Sequence, residues 1–318
     1  MSGYFAFQEY SKVTLKKPKK YLILIVGPTA VGKTSLSIKV AKNLQTEIVS
    51  CDSRQFYCEL EIGTAKPSQE ELDQVPHHLI NSRSIHENYD VKKFEQDALA
   101  ILDKLYKSKN LVVMTGGSGL FADAITSGFD PIPEIPKEIR EEMIDQYKRL
   151  GLNYLQDELR KADPVFMKVA DIQNPNRLMR ALEVYRGTGK PFSSFRNKTL
   201  AKRNFETIQI GVEMERKALY DRINHRMDLM IEKGLFEEAE KFFPLRHLNA
   251  LQTVGYSEIF GYLEGEYDRD EAIRLLKRNS RRYAKRQMTW FKRNPKIKWF
   301  EAGDEDGVLK YIQAQLMG

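Results

Sequence analysis

The sequence predicts an α/β protein: a P-loop NTPase-like parallel sheet core, an α-helical insertion domain and a helical C-terminal region. Three observations carry this. The apolar run Tyr21-Leu22-Ile23-Leu24-Ile25-Val26 leads straight into Gly27 to Thr34, which read GPTAVGKT. Two further apolar segments, Glu47-Ile48-Val49-Ser50-Cys51 and Leu111-Val112-Val113-Met114, each end in a short polar or glycine-rich turn. Beyond Phe129 prolines break the chain into helix-like stretches, and the strand-like Glu206 to Val212 follows them. Short apolar runs bounded by turn signals suit strands covered on both faces of a parallel sheet.

The first element is the most informative. The pattern G-x-x-x-x-G-K-[ST], after a strand and before the helix-like SLSIKVAKNL, wraps backbone N–H groups around two linked phosphates. Gly27, Pro28, Thr29, Ala30, Val31, Gly32, Lys33 and Thr34 are therefore the candidate diphosphate cradle. Lys33 supplies a point charge and the Thr34 hydroxyl is placed for Mg²⁺. Nucleotide hydrolases, kinases and other transferases share such a loop, so it names no reaction.

The second strand ends on Asp52, followed by Ser53, Arg54 and Gln55. Ligands of open parallel sheets bind outside the carboxyl ends of the strands, which puts Asp52 at the same crevice as the loop. A carboxylate there can take a proton from an incoming nucleophile, although Asp is also a common turn or helix-cap residue. The third strand ends in TGGSGLF, Thr115 to Phe121. A motor-type NTPase would place an Mg²⁺-holding Asp near here. This chain instead offers glycines, which admit a ligand close to the backbone, and two hydroxyls.

Between Phe129 and Phe205, Pro131, Pro133 and Pro136 precede the helix-like KEIREEMIDQYKRLG and YLQDELRKADPVFMKVA. A further amphipathic helix begins at Asn174-Pro175, with Pro175 suited to its first turn and Arg177 and Arg180 one turn apart. The expected organisation is a tail over 1–19, a discontinuous core over 20–129 and 205–318, and an insertion over 130–204. Past the returning strand the pattern reads as helical throughout, with Arg222, His225 and Arg226 on adjacent faces.

At 318 residues and 42% hydrophobic content, the chain is long enough for one large or two moderate domains with a real core. No run approaches the roughly 18 to 20 apolar residues that cross a bilayer, and the first twenty residues lack a signal peptide's apolar core. Cys51 and Cys58 are too few for a disulfide framework, so the expected setting is the reducing cytoplasm, with no membrane partner. The net charge of +7 permits a nucleic-acid partner. Its distribution says more: Lys277 to Lys298 carry ten cations and no acid. On a helix Arg278, Arg282, Lys285 and Arg286 share a face, while Tyr283, Met288, Trp290 and Phe291 offer stacking surface. A solvated face with a packed aromatic side is the plainer alternative.

Taken in order, GPTAVGKT, SCDSRQFY, EIGTAKP, VPHHLI, TGGSGLF, NPNRLMRALEVY, YDRINHRMDLM, LQTVGYSEI and RYAKRQMTWF resemble the tRNA dimethylallyltransferases, over roughly Lys20 to Phe300. The resemblance implies transfer of a five-carbon prenyl group from dimethylallyl diphosphate to the exocyclic amine of the adenosine 3′ of the anticodon, with Mg²⁺ as cofactor. It further implies that Thr29 to Thr34 hold the diphosphate with Arg222, that Asp52, Lys33 and Thr29 are catalytic, and that Asp52, Ser53, Arg54 and Gln55 face the adenosine. Asn176, Arg177, Leu178, Met179 and Arg180 match the tRNA-contacting segment, and Arg140, Arg282 and Arg286 join them as candidates. Ser118 stands where the family usually has Thr and keeps the hydroxyl. Cys51 and Phe56 replace a small residue and a Val. The partners implied are the tRNA anticodon stem-loop and dimethylallyl diphosphate, with the enzyme itself a monomer. Adjacent His77 and His78, without Cys or a third ligand nearby, are expected to pack and hydrogen-bond and not to bind metal. A small-molecule kinase, a prenyltransferase of free adenine nucleotides and an RNA-binding protein with a degenerate site are the rival readings. The basic insertion and cationic helix have little use on a small acceptor.

Overall fold

The structure, a computed structural model, describes residues 19–196 and 201–317. The predicted tail over 1–19 thus lies outside the described residues, save Lys19. One unit runs up to Thr126 and resumes at Arg203; the other spans Ser127–Lys202. The expected insertion boundaries, 130 and 204, fall within a few residues of these.

The core unit is built on six parallel strands: β1 (Tyr21–Val26), β2 (Ile48–Ser50), β3 (His77–His78), β4 (Leu111–Gly116), β5 (Glu206–Glu213) and β6 (Lys298–Glu301). Their order in the sheet is β3-β2-β4-β1-β5-β6. All six residues of β1 are buried, as a central strand covered on both faces must be. Alternation then divides them: Leu22, Leu24 and Val26 enter one core with Val112 and Met114, whereas Tyr21, Ile23 and Ile25 enter the other with Val113, Ile208 and Ile210.

Three predicted strands after the first were found where expected, and two more were missed. β3 has only two residues, too few for a periodic signal. β6 follows the cationic run directly and is only half-buried at the sheet edge, so its apolar pattern is weak. The C-terminal region is therefore not wholly helical, because β6 pairs with β5 through Gly211↔Trp299. Gly211 is what allows this, since a Cβ there would lie 2.6 Å from the Trp299 ring.

Helices α1 (Lys33–Asn43), α2 (Gln69–Leu72) and α3 (Val91–Leu105) connect the first four strands, and α4 (Gly119–Thr126) follows β4. Each start has a local cause. Gly32 takes the left-handed conformation before α1, Ser68 and Glu71 form a reciprocal capping box at α2, and Asp90 accepts two backbone amides at α3.

The insertion unit contains α5 (Lys137–Ala162), α6 (Pro164–Met167) and α7 (Pro175–Thr188). Gly151, at φ 77°, breaks α5 in two. Asn174 caps α7, Pro175 sits in its first turn and Gly189 closes it in the left-handed conformation, as the sequence signals require. Met143, Leu155, Leu159, Phe166, Leu178, Met179 and Leu182 form a separate core. Beside them, buried Glu183 accepts hydrogen bonds from Arg140 and, at 3.3 Å, from Arg180.

The core unit is completed by α8 (Arg216–Glu232), α9 (Leu235–Phe242), α10 (Ser257–Leu263), α11 (Arg269–Phe291) and α12 (Glu305–Met317). Along α11 the buried positions are Ala272, Leu276, Ser280, Ala284, Gln287 and Phe291, a stripe of helical period. Val308 and Ile312 of α12 join the core that holds Ile23 and Ile210. Among the described residues no helix is long and apolar enough to cross a membrane.

Candidate active site

At the carboxyl ends of β1, β2 and β4 the core unit holds a cavity of about 400 Å³. The loop after β1 and the first turn of α1 supply Thr29, Ala30, Gly32, Lys33 and Thr34, the turn after β2 supplies Asp52, and β4 supplies Thr115 and Gly116. Arg222, His225 and Arg226 line it from α8. Phosphate-binding groups and a carboxylate thus share one chamber, as the crevice rule predicts.

The loop is shaped by close backbone approaches. A Cβ at Gly27 would lie 2.5 Å from the Val212 carbonyl oxygen on β5, so only glycine lets the chain turn there. Ala30 is held at φ 65°, a strained conformation for a residue with a side chain. Lys33 Nζ donates to the Pro28 carbonyl at 2.7 Å, which folds the ammonium back over its own loop. Arg226 donates to the Thr29 hydroxyl.

Three cations, Lys33, Arg222 and Arg226, face one carboxylate. Burial pulls the Lys33 ammonium down to about 8, with Asp52 opposing and Arg226 adding to the shift. Burial likewise lowers Arg226, opposed by Asp52. Such an excess of desolvated positive charge is poorly satisfied by the protein alone and suits a polyanionic ligand. Across the chamber the Tyr283 phenol is pushed up to about 12 by burial and by Asp52. Buried Cys51 has its thiol raised well above the usual range by burial, which makes it packing and not a nucleophile.

Asp52 is held in a turn: its carboxylate accepts the Arg54 N–H at 3.0 Å and its own N–H donates to Ser50 Oγ at 3.3 Å. Arg54 also lines the cavity, but its guanidinium donates to the carbonyls of Asn249 at 2.8 Å and Ala250 at 3.3 Å. Gln55 donates to the Ala65 carbonyl at 3.1 Å. Two of the four side chains expected to face an adenosine are thus engaged in fastening neighbouring loops. Ser53 and Ser118 lie outside the cavity lining.

Of the other expected RNA contacts, Arg282 and Arg286 are exposed on α11, with Arg286 over the Tyr283 ring at 5.6 Å. Arg278, expected on the same face, is half-buried. Lys277 pairs with Asp228 at 2.5 Å and Lys292 with Glu213 at 2.6 Å, so part of the cationic run is neutralised. In the insertion, Asn176, Arg177 and Arg180 are exposed. Leu178 and Met179 correct the expectation: both are buried in the insertion's own core, because α7 turns its apolar face inward there. Arg140 is occupied by Glu183, with Asn176 Oδ1 at 3.4 Å. His77 Nδ1 lies 2.7 Å from the Val75 carbonyl, and His78 Nε2 lies 2.7 Å from Glu47.

Sequence reasoning missed the residues that brace the chamber. The Glu238 carboxylate accepts the amides of Glu61, Ile62 and Gly63 at 3.1, 2.9 and 2.8 Å, and the Tyr256 hydroxyl at 2.6 Å. This sets the wall formed by Gly63, Thr64 and Ala65. Buried Glu258 does the same for the facing loop, accepting the Gly255 N–H at 2.9 Å and Asn279 Nδ2 at 2.7 Å. Gln287, also on the lining, accepts the Thr29 N–H and donates to the Gly117 carbonyl, both at 2.8 Å. A polar residue in the apolar stripe of a helix is the one sequence signal that marks Gln287.

Comparison with known proteins agrees with this chemistry. The family model described as IPP transferase matches residues 55–294. The tRNA dimethylallyltransferase of Flavobacterium johnsoniae is 49% identical over 304 residues, covering 93% of this chain and 98% of that protein. That of Flavobacterium psychrophilum is 50% identical over 303 residues, covering 93% and 99%. The full-length tRNA isopentenylpyrophosphate transferase of Bacillus halodurans has a similar crystal structure, with a TM-score of 0.70, 38% identity, and coverage of 94% of this chain and 97% of that one. With its strand-loop-helix phosphate cradle, its aspartate at the neighbouring strand end and this similarity along nearly its whole length, the chain belongs to the IPP transferase family of tRNA-modifying prenyltransferases.

Proposed function

We propose that the chain transfers a dimethylallyl group from dimethylallyl diphosphate to the exocyclic amine of the adenosine 3′ of the anticodon in tRNA. The observation that carries this reading is the shared chamber: Lys33, Thr34, Arg222 and Arg226 on one side, Asp52 on the other. The adenine amine attacks the first carbon of the prenyl chain, the carbon–oxygen bond breaks, and diphosphate departs with the electron pair. Asp52 takes the amine proton. Loop amides, Lys33 and Arg226 stabilise the negative charge that develops on the leaving oxygen, and Thr29, fixed by Arg226, stands beside it. An exocyclic amine is a weak nucleophile, so alignment and leaving-group stabilisation provide most of the rate.

Mg²⁺ is the proposed cofactor, and Thr34 is the residue that would hold it. The cavity offers the Thr34 hydroxyl, and among the described residues no cluster of three or more His, Cys, Asp or Glu could hold a metal. When bound, the ion would neutralise charge on the departing diphosphate.

The target base lies in a folded loop and must turn outward to enter the chamber, a step of a few kcal/mol that unpaired loops keep low. Exposed Asn176, Arg177 and Arg180 on the insertion and Arg282 and Arg286 on α11 are the proposed contacts for the anticodon stem-loop. The protein is proposed to act as a monomer in the cytoplasm. The test is to incubate the protein with dimethylallyl diphosphate and an anticodon stem-loop, then analyse the nucleosides by mass. A dimethylallyl gain on the adenosine 3′ of the anticodon is expected. Modification of free adenosine monophosphate alone, or phosphorylation with ATP as donor, would overturn the reading.

A further inference from the structure

Gln287 sits in the cationic run read as an RNA-contacting stripe, yet its side chain turns the other way and is buried. Its Oε1 accepts the Thr29 N–H and its Nε2 donates to the Gly117 carbonyl. A carboxamide of this reach does both, its oxygen meeting the donor and its NH₂ the acceptor. Glutamate would set a second acceptor against the carbonyl, and asparagine is one methylene too short.

The surroundings are cut to admit this bridge. A Cβ at Gly117 would lie 2.3 Å from Gln287 Nε2 and 3.9 Å from Asp52 Oδ2, so the link passes beside the aspartate. On the other side a Cβ at Gly116 would lie 2.6 Å from the Cys51 carbonyl oxygen, which locks the ends of β2 and β4 by close main-chain packing. The Gln287 amide supplies the corresponding tie between the end of β4 and the loop after β1.

We propose that Gln287 is a positioning residue for the prenyl transfer. It fixes the separation between the Thr29 end of the diphosphate cradle and the Asp52 carboxylate, and therefore between the electrophilic carbon and the group that receives the proton. The inference rests on the prenyl-transfer reading. Holding either substrate in its ground state draws on other groups, the loop amides and Lys33 for the diphosphate and exposed cations for the RNA. Small misalignments of reacting groups cost rate far more than binding. Loss of the bridge is therefore felt in kcat and not in KM.

The experiment compares the full chain with Q287M, Q287E and Gly117→Ala. Hydrogen exchange of the peptide holding residues 27–34 reads the bridge without catalysis, and steady-state turnover on the stem-loop reads its role. In Q287M, exchange of that peptide should quicken and kcat should fall about 10- to 100-fold, with KM for the prenyl diphosphate changed by less than about threefold. Q287E should in addition move the acidic limb of the kcat profile to higher pH, because a second carboxylate then faces Asp52. Gly117→Ala, which pushes the amide off its carbonyl, should reproduce the kcat loss should Q287M not fold. Unchanged exchange, or a kcat within twofold of the parent in either folded variant, would overturn the proposal. A parent chain without turnover counts against the prenyl-transfer reading instead, and exchange still decides the bridge.

Discussion

The Glu238 carboxylate and the Gly63 amide meet at 2.8 Å, the shortest of three backbone amide bonds that this one side chain accepts. Gly63 has no side chain because the Tyr256 ring occupies that place: a Cβ would lie 2.5 Å from it. One acidic residue on α9 thereby fixes two loops of the chamber wall. Glu238→Ala should lower stability by about 2–4 kcal/mol, since several donors lose their acceptor at once. Thermal or urea unfolding measures this, and a loss below about 0.5 kcal/mol would show that water replaces the carboxylate.

Asp52→Ala should lower kcat by about 10² or more and leave tRNA affinity near that of the parent, because the change removes a proton acceptor and leaves every phosphate-binding cation in place. Single-turnover kinetics with filter-binding on the same preparations separates the two quantities. Equal losses in affinity and rate would move Asp52 from proton transfer to substrate binding.

With Lys33 pulled down to about 8, the free enzyme holds this ammonium charged below that pH and loses it above. The expected kcat/KM for the prenyl diphosphate therefore falls as pH rises through about 8. Bound diphosphate favours the charged form, so the matching fall in kcat should lie at higher pH. For stability the sign is the reverse. The unfolded chain binds this proton more tightly, so between about 8 and 10.5 the Lys33 contribution to stability rises with pH. A kcat/KM profile flat through pH 9 would contradict the assignment.

Arg177→Ala should weaken RNA binding and flatten its salt dependence, by about 0.7–0.9 in log–log slope for each phosphate the protein ceases to neutralise. Arg180→Ala should do this and also destabilise the insertion, because Arg180 shares the buried Glu183 with Arg140. Binding titrations across salt concentrations, paired with thermal melts, separate the two variants. An Arg177→Ala slope equal to the parent's would remove this helix face from the interface.

The phosphate loop, its flanking strand and Asp52 were legible because each is a contiguous pattern whose partners lie within a few residues. Gln287 and Glu238 were not, since the first acts on Thr29, 258 positions away, and the second on Gly63, 175 positions away. Separation of that order leaves no periodicity to read. Leu178 and Met179 show the opposite failure. Motif matching placed the whole run from Asn176 to Arg180 at an interface, whereas helical alternation alone would have buried the two apolar members and exposed the rest. Arg54 and Gln55 line the chamber, but their side chains turn to carbonyls of adjacent loops, a choice set by tertiary packing that no local pattern encodes.

The two ends of the insertion are pinned to each other by a main-chain bond, Ala201 N–H to the Ser127 carbonyl at 2.8 Å, and the segment carries its own core. Closed ends and a core of its own are what an independently folding segment requires. Replacement of the segment by that of a relative therefore calls for a pair of ends that close on each other in the same way.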